Sequence, residues 1–175
     1  MTALATVAAD GVSRLEVSRT FQGDPARLCE ALAAPGWLGA IMPSPPDRPD
    51  MIRLEMDLAF TLNAEGGREL AFRKAALVDI AMRRASGGCS GEIGWRASSF
   101  SPLFPVFAGE LALKGGRLTL TGVYAPPGGT LGLLFDRTII HRFAERTARW
   151  LLDRIVTGYR ELEIPAARRP ETRHA

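Results

Sequence analysis

Apolar and polar residues alternate along most of the first two thirds of the chain, which is the pattern of strands with one buried face. The alternation is clearest at residues 52–62, where Arg53, Glu55 and Asp57 occupy the polar positions. The same period of two predicts further strands at 14–21, 70–82, 89–95, 107–113 and 118–124. Each of these strands should place one face against a core and the other in water.

Short connections rich in glycine join most of these strands. Residues 63–67, 86–88 and 114–116 have the length of hairpin turns. Parallel neighbours would need a crossover of a dozen or more residues, usually a helix, and no helical pattern separates these strands. The sequence therefore predicts an antiparallel meander.

Two segments have a helical pattern instead. Asp24 and Pro25 suit the cap and first position of a short helix, which ends before Pro35, and residues 37–42 could add a further turn. Near the C-terminus apolar residues recur at steps of three and four, predicting a helix from 131 or 136 to 163. At 1.5 Å per residue it would be about 40 Å long. A helix of that length should lie across the sheet.

The segment YAPPGGTLG, residues 124–132, separates the last strand from this helix. Its two prolines should end strand pairing, and its two glycines should let the chain reverse. We expect one α+β domain over residues 12–164, with flexible termini at 1–11 and 165–175. Its curved sheet of about six or seven strands should wrap around the C-terminal helix, with one or two short helices after the first strand.

This order of elements resembles the helix-grip fold of the START-like superfamily, also called SRPBCC. That superfamily includes lipid-transfer domains, relatives of plant pollen allergens and polyketide cyclases. Four stretches are similar to its uncharacterised bacterial members: GDPARLCEALAAPGWLGAIMP, LFPVFAGELAL, LTLTGVYAPPGGTLG and DRTIIHRFAERTARWLLDRI. The resemblance covers the chain from Leu15 to about Glu163. It is specific for fold and weak for activity, since members bind, transfer, cyclise or chaperone.

The resemblance implies a cavity between sheet and helix, although the same residues could simply pack as a dry core. By parity the sheet would contribute Leu54, Met56, Leu58, Phe60, Val78, Ile80, Ile93, Trp95, Phe107, Leu111, Leu118, Leu120 and Tyr124. The helix would contribute Ile140, Phe143, Ala144, Thr147, Leu151 and Ile155.

Two cations interrupt the apolar faces, because Arg19 and Lys74 occupy positions whose neighbours along the strand point inward. Buried cations are costly unless paired, so either residue could anchor an anionic group of a ligand. The alternative is that a bulge or a strand end lets both side chains reach water.

Composition excludes several classes of function. The 22 Lys and Arg residues against 19 Asp and Glu give a net charge of only +3, which does not indicate a nucleic acid partner. No cofactor motif or metal-binding spacing is present. Cys29 and Cys89 are far apart and match no redox motif, so two independent reduced thiols in a cytoplasmic protein are expected. No apolar run is long enough for a membrane span.

The first functional hypothesis is therefore binding or carriage of a small hydrophobic or amphipathic molecule in the cavity. An alternative is an enzyme of the polyketide cyclase or dehydratase type, with Tyr124, Trp95, Thr147 and His141 as weak acid–base candidates. In the binding hypothesis, His141 is instead a structural histidine at the flank of the helix. A further alternative is a protein-interaction or co-chaperone module with unknown partner proteins, which would need an exposed apolar groove.

Overall fold

The computed structural model describes residues 13–43, 48–63, 69–98, 106–125 and 137–163. In chain order its elements are β1 Ser13–Thr20, α1 Pro25–Ala33, a 3₁₀ helix at Pro35–Trp37, β2 Ala40–Met42, β3 Ile52–Asn63, β4 Glu69–Ala85, β5 Gly88–Ala97, β6 Val106–Lys114, β7 Arg117–Ala125 and α2 Arg137–Glu163.

The strands form one antiparallel sheet of seven strands in the order β1-β7-β6-β5-β4-β3-β2. The meander and the α+β fold class are thus confirmed. Two-residue turns join β4 to β5 and β6 to β7, with positive φ angles at Gly87, Gly115 and Gly116. Glycine adopts this backbone region without the steric cost that a Cβ would add. The two outer strands are β1 and β2.

The second edge strand was not predicted. Residues 37–42 do not continue the helical region as one more turn: the 3₁₀ helix ends at Trp37, and Ala40–Met42 pair with β3. Three residues are too few for a period to be visible in the sequence, and their strand conformation comes from pairing with Arg53–Glu55 of β3.

The helices cover the inner face of the sheet. Asp24 caps α1, with its Oδ1 accepting a hydrogen bond from the Ala26 N–H at 2.9 Å. The 27 residues of α2 make it about 40 Å long, and it lies against β1, β3 and β7. Helix α1 lies against β4, β5 and β6. The buried apolar residues of the sheet and both helices form one continuous cluster.

The expectation of two independent thiols is wrong in this structure, because Cys29 of α1 and Cys89 of β5 form a disulfide. Their Cα atoms are 5.8 Å apart, although 60 positions separate them in the sequence. Both residues are buried. Arg84 Nη2 also donates to Glu30 Oε1 at 2.6 Å, so an ion pair and a disulfide hold α1 to neighbouring strands.

The pairing of β3 with β4 bears on Lys74. The register runs without interruption from Ile52 opposite Ile80 to Asn63 opposite Glu69, so this ladder contains no bulge of the kind suggested for Lys74. Lys74 lies opposite Leu58, and the placement of its side chain is outside the described part of the chain.

Some expectations concern residues that the structure does not describe. The corner after Ala125 falls in 126–136, and the termini expected to be flexible fall in 1–12 and 164–175. Of the helices within the described ranges, none combines the length and hydropathy needed to cross a membrane. In the same ranges no group of three or more His, Cys, Asp or Glu residues could hold a metal ion.

Candidate functional site

The inner face of the sheet packs against α2, as the strand alternation and the helical periodicity indicate. Of the residues named for the cavity walls, those with described side chains are all buried in the interior: Leu54, Met56, Leu58, Val78, Ile80, Ile93, Trp95, Phe107, Leu111, Leu118, Leu120, Tyr124, Phe143, Ala144, Thr147, Leu151 and Ile155. The side chains of Phe60 and Ile140 are outside the described set. Sequence reasoning therefore located one continuous interior surface, which is apolar apart from a few polar groups.

Two of those polar groups, the Trp95 indole and the Tyr124 phenol, belong to a row of side chains that crosses the sheet. The strand registers place Leu54, Val78, Trp95, Phe107 and Tyr124 opposite one another on successive strands. All are buried on the inner face. Within this row Trp95 and Tyr124 lie near the ends of β5 and β7, and Tyr124 is in contact with His141 near the start of α2.

The ring of Phe107 lies along β6 toward two glycines. A Cβ built at Gly109 or at Gly122 would come within 2.7 or 2.6 Å of Phe107 Cζ, so the ring occupies the room that these glycines leave. Trp95 stacks on this ring, with centroids 4.0 Å apart and planes 12° from parallel. The glycine pair and the stacking together fix the position of the Trp95 indole.

The indole nitrogen of Trp95 has no hydrogen-bond partner among the described residues, although the side chain is only 2% exposed. Buried polar groups in folded proteins are nearly always paired, and leaving a donor unpaired costs free energy. Trp95 therefore places an available N–H donor inside an otherwise apolar region.

Tyr124 and His141 supply the other polar groups of this region. Tyr124 Oη lies 3.0 Å from His141 Nδ1, so the last strand and the first turns of α2 are joined by a hydrogen bond. Either the hydroxyl or the ring nitrogen donates, depending on the tautomer of His141. Burial raises the pKa of Tyr124, and a hydrogen bond with the side chain of Ser13 acts in the opposite direction.

We refer to Trp95, Phe107, Tyr124 and His141 as the Tyr124 end of the interior. The sequence pointed to Tyr124 and His141 separately but did not pair them, because no local spacing relates a strand residue to a helix residue beyond an intervening corner. The half-buried His141 is a hydrogen-bonded histidine at the edge of the interior, as its position on the helix indicated.

Thr147, another acid–base candidate, has its hydroxyl engaged elsewhere. It donates to the carbonyl oxygen of Phe143 in its own helix at 3.0 Å. Since a hydroxyl carries one donor, that bond leaves only acceptor capacity on Thr147. The structure therefore does not add Thr147 to the Tyr124–His141 pair as a second proton donor.

Arg19 lies outside the row. Its side chain is 52% exposed, and its Nε is 2.8 Å from Asp153 Oδ1 of α2, in an ion pair that lacks hydrogen-bond alignment. The inward parity of Arg19 is correct, but at this end of β1 the side chain meets α2 instead of the interior. The possible anionic-group anchor is thus an exposed bridge between β1 and α2.

The opposite end of the interior contains the disulfide. We refer to Cys29, Cys89, Phe21, Trp37 and Tyr159 as the disulfide end. Phe21 and Tyr159 pack edge to face at 5.3 Å. The Tyr159 hydroxyl donates to Glu163 Oε1 at 2.6 Å, and the Trp37 indole donates to the Ala31 carbonyl at 2.8 Å. At this end, both the indole and the phenol therefore have partners.

Neither a family model nor a curated protein matches the chain. Solved structures do resemble it. The protein TTHA0849 from Thermus thermophilus has 14% identity and a TM-score of 0.50, with 86% of this chain and 99% of that chain covered. At this identity the similarity establishes the shared fold, a sheet with a C-terminal helix, and does not extend to the site.

Two further structures are more distant. Protein Ms6760 from Mycobacterium smegmatis has 12% identity and a TM-score of 0.44, covering 92% of this chain and 97% of that one. DynU16, a protein in the dynemicin biosynthetic locus, has 16% identity and a TM-score of 0.41, covering 84% of this chain and 47% of that one. These two similarities carry no argument about the site.

Proposed function

We propose that the protein binds or carries a small hydrophobic or amphipathic molecule between the sheet and α2 at the Tyr124 end. The observation that carries the proposal is the Tyr124–His141 hydrogen bond, 3.0 Å long, which joins a buried phenol to a half-buried imidazole beside an otherwise apolar interior. Ligand sites typically combine apolar walls with a few placed polar groups. The resemblance to the START-like superfamily adds support, because that fold implies a cavity in this position.

The location of the protein in the cell is a separate question. The expectation of a cytoplasmic location assumed that Cys29 and Cys89 are reduced thiols, whereas the two residues form a disulfide. The Cys29–Cys89 disulfide favours a more oxidising environment, because cytoplasmic reductants keep most thiols reduced. The proposed binding function does not depend on either location.

The proposal is tested by titrating the protein with the apolar fluorophore N-phenyl-1-naphthylamine. We expect saturable binding at one site per chain. Ala144 is fully buried on the inner face of α2, so Ala144→Leu, or the bulkier Ala144→Trp, should weaken binding by filling the space that the probe occupies. The matched control is Ala108→Leu, which adds the same bulk on the exposed face of β6.

Circular dichroism of each variant shows whether it has folded. Loss of probe binding in folded Ala144→Leu with retention in Ala108→Leu is the expected result. No saturable binding to the wild-type protein, by this probe and by others of different shape, would contradict the proposal. Equal loss in both alanine variants would place the probe outside the interior.

The same hydrogen bond supports a second candidate function, an acid–base enzyme of the cyclase or dehydratase type. A phenol and an imidazole in contact can exchange a proton, and such catalysis typically contributes 10²–10⁴-fold. A direct assay follows loss of water from a 3-hydroxybutyryl thioester of N-acetylcysteamine. If the pair is catalytic, His141→Gln should lower turnover at least about a hundredfold while leaving probe affinity nearly unchanged. Unchanged turnover in His141→Gln would exclude a catalytic role for the pair, and no turnover by the wild type would exclude this dehydratase activity.

A further inference from the structure

The starting observation is that two tryptophans differ in how their indole N–H groups are used. The Trp37 N–H donates to the Ala31 carbonyl at 2.8 Å. The Trp95 N–H has no partner among the described residues, although Trp95 is the more deeply buried of the two. Trp95 therefore carries the cost of an unpaired donor that Trp37 avoids.

We propose that Trp95 Nε1 donates a hydrogen bond to an oxygen atom of the bound molecule, so that the ligand is an apolar compound bearing a carbonyl or carboxyl oxygen. This inference rests on the proposed binding function and narrows it to a chemical class. An indole N–H can only donate. The matching group on a ligand must therefore be an acceptor, and an unsubstituted hydrocarbon would leave the donor unpaired.

The surroundings of Trp95 favour a specific role for this donor. Its ring is stacked on Phe107, and the Phe107 ring is in turn seated over Gly109 and Gly122. A side chain held in this way has little freedom to turn its nitrogen toward another partner. A fixed donor can distinguish a correctly placed acceptor, because little conformational entropy is lost when the bond forms.

The same row supplies a second polar contact. Tyr124 is two strands from Trp95 on the same face, with Phe107 between them. Strands are about 4.8 Å apart, so the two Cα atoms are separated by roughly 10 Å. The Phe107 ring lies along its strand, so it does not stand as a wall between these two positions. A ligand oxygen at Trp95 would therefore leave the Tyr124–His141 pair available for another polar group.

The test compares two compounds of nearly equal shape, 2-acetylnaphthalene and 2-ethylnaphthalene, of which only the first has a carbonyl oxygen. Protein labelled with ¹⁵N at its tryptophan indoles gives one N–H signal for each of the 3 tryptophans. Single Trp→Phe variants assign these signals. We expect the Trp95 proton to move downfield when the ketone binds, because a new hydrogen bond deshields it. The Trp37 signal is the internal control, since its bond to Ala31 already exists.

Affinities supply a second measurement. Trp95→Phe keeps an aromatic ring but removes the donor. Relative to wild type, this substitution should weaken binding of the ketone about threefold to tenfold more than binding of the hydrocarbon, as expected for the loss of one neutral hydrogen bond. Trp37→Phe, which removes an indole outside the proposed site, should affect both compounds equally.

The outcomes separate the inference from the function on which it rests. If both compounds bind, the Trp95 signal does not move downfield, and Trp95→Phe weakens both equally, the inference is wrong and the binding function stands. If neither compound nor the fluorophore binds, both are wrong. A Trp95 signal that is already downfield in the free protein and unchanged by the ketone would show that another acceptor holds the donor, which also overturns the inference.

Discussion

The two ends of the interior have similar side chains in different states. The disulfide end has a tyrosine and a tryptophan whose polar atoms are bonded to Glu163 and to Ala31. The Tyr124 end also has a tyrosine and a tryptophan, but its indole has no partner among the described residues. A disulfide fixes the first end, whereas hydrogen bonding and stacking hold the second.

This difference indicates that the disulfide end of the core stabilises the fold, whereas the Tyr124 end is suited to recognise a ligand. A buried polar group that is already paired contributes to stability and has little to offer a ligand. A buried donor that is unpaired lowers stability and becomes useful only when an acceptor arrives. We therefore expect substitutions at the disulfide end to change stability alone, and substitutions at the Tyr124 end to change both stability and binding.

The largest expected effect is at the disulfide end. Replacing both cysteines by alanine should lower the free energy of unfolding by about 2–5 kcal/mol, because the bond closes a loop of 60 residues and so restricts the unfolded chain. Urea unfolding measures this loss, and fluorophore affinity should change little. Labelling the denatured wild type with iodoacetamide is the control. Two reactive thiols before any reductant is added would mean that the bond is absent.

The second-largest effect on stability should come from Gly122, which lies against the ring of Phe107. A Cβ at Gly122 would lie 2.6 Å from Phe107 Cζ and would also overlap the carbonyl oxygen of Ala108. Gly122→Ala should therefore cost about 1–3 kcal/mol in the free energy of unfolding, and it should displace the Trp95 indole signal. Gly94→Ala is the comparison, since its Cβ would face the outer side of the sheet with its nearest neighbour at 3.0 Å. Equal effects of the two substitutions on the Trp95 signal would contradict this description of the ring.

The two tyrosines provide a matched pair with smaller effects. Tyr124→Phe leaves His141 Nδ1 without its partner, and Tyr159→Phe removes the bond to Glu163. Each should lower the free energy of unfolding by about 0.5–1.5 kcal/mol. Only Tyr124→Phe should alter the affinity for a ligand with a second polar group, such as 6-acetyl-2-naphthol, because that group can reach the Tyr124–His141 pair. If Tyr159→Phe altered that affinity to the same extent, the distinction between the two ends would be lost.

The smallest effect is on the ionisation of these tyrosines. Burial, together with the hydrogen bond and charge of Glu163, raises the pKa of Tyr159 to about 12, and burial also raises the pKa of Tyr124. A raised folded-state pKa means stability that is complete below the unfolded value of about 10 and is lost as the pH rises through the folded value. Absorbance at 295 nm should therefore show both phenols titrating above pH 10. An ordinary titration midpoint in Tyr124→Phe, which retains only Tyr159, would contradict this expectation.

Much of the fold could be predicted from the sequence because strand alternation and helical periodicity are local signals. The inward faces of β3 to β7 followed from the parity of the strand positions, and the inward face of α2 followed from its helical periodicity. The disulfide could not be predicted, since Cys29 is on a helix and Cys89 on a strand, and only the tertiary fold brings them together. Arg19 shows a related limit. The parity of its position was correct, but its charge is held by an ion pair with Asp153 of α2, which is far along the chain.

The candidate site was only partly predictable for the same reason. Parity identified Trp95 and Tyr124 as inward residues, but it does not report hydrogen bonds. Whether the indole N–H of Trp95 is paired depends on what surrounds it in three dimensions. The pairing of Tyr124 with His141 likewise depends on where α2 begins relative to β7.

Isotope-filtered nuclear Overhauser spectra would show whether a ligand lies between the sheet and α2. With unlabelled 2-acetylnaphthalene and ¹³C-labelled protein, we expect contacts from the naphthalene protons to inner methyl groups near the Tyr124 end, such as those of Val78 and Ala144. The methyl groups of Leu77 and Val123, on the outer face of the sheet, should show none. Contacts to the outer methyl groups, in a complex that saturates at one ligand per chain, would instead place the ligand outside the interior.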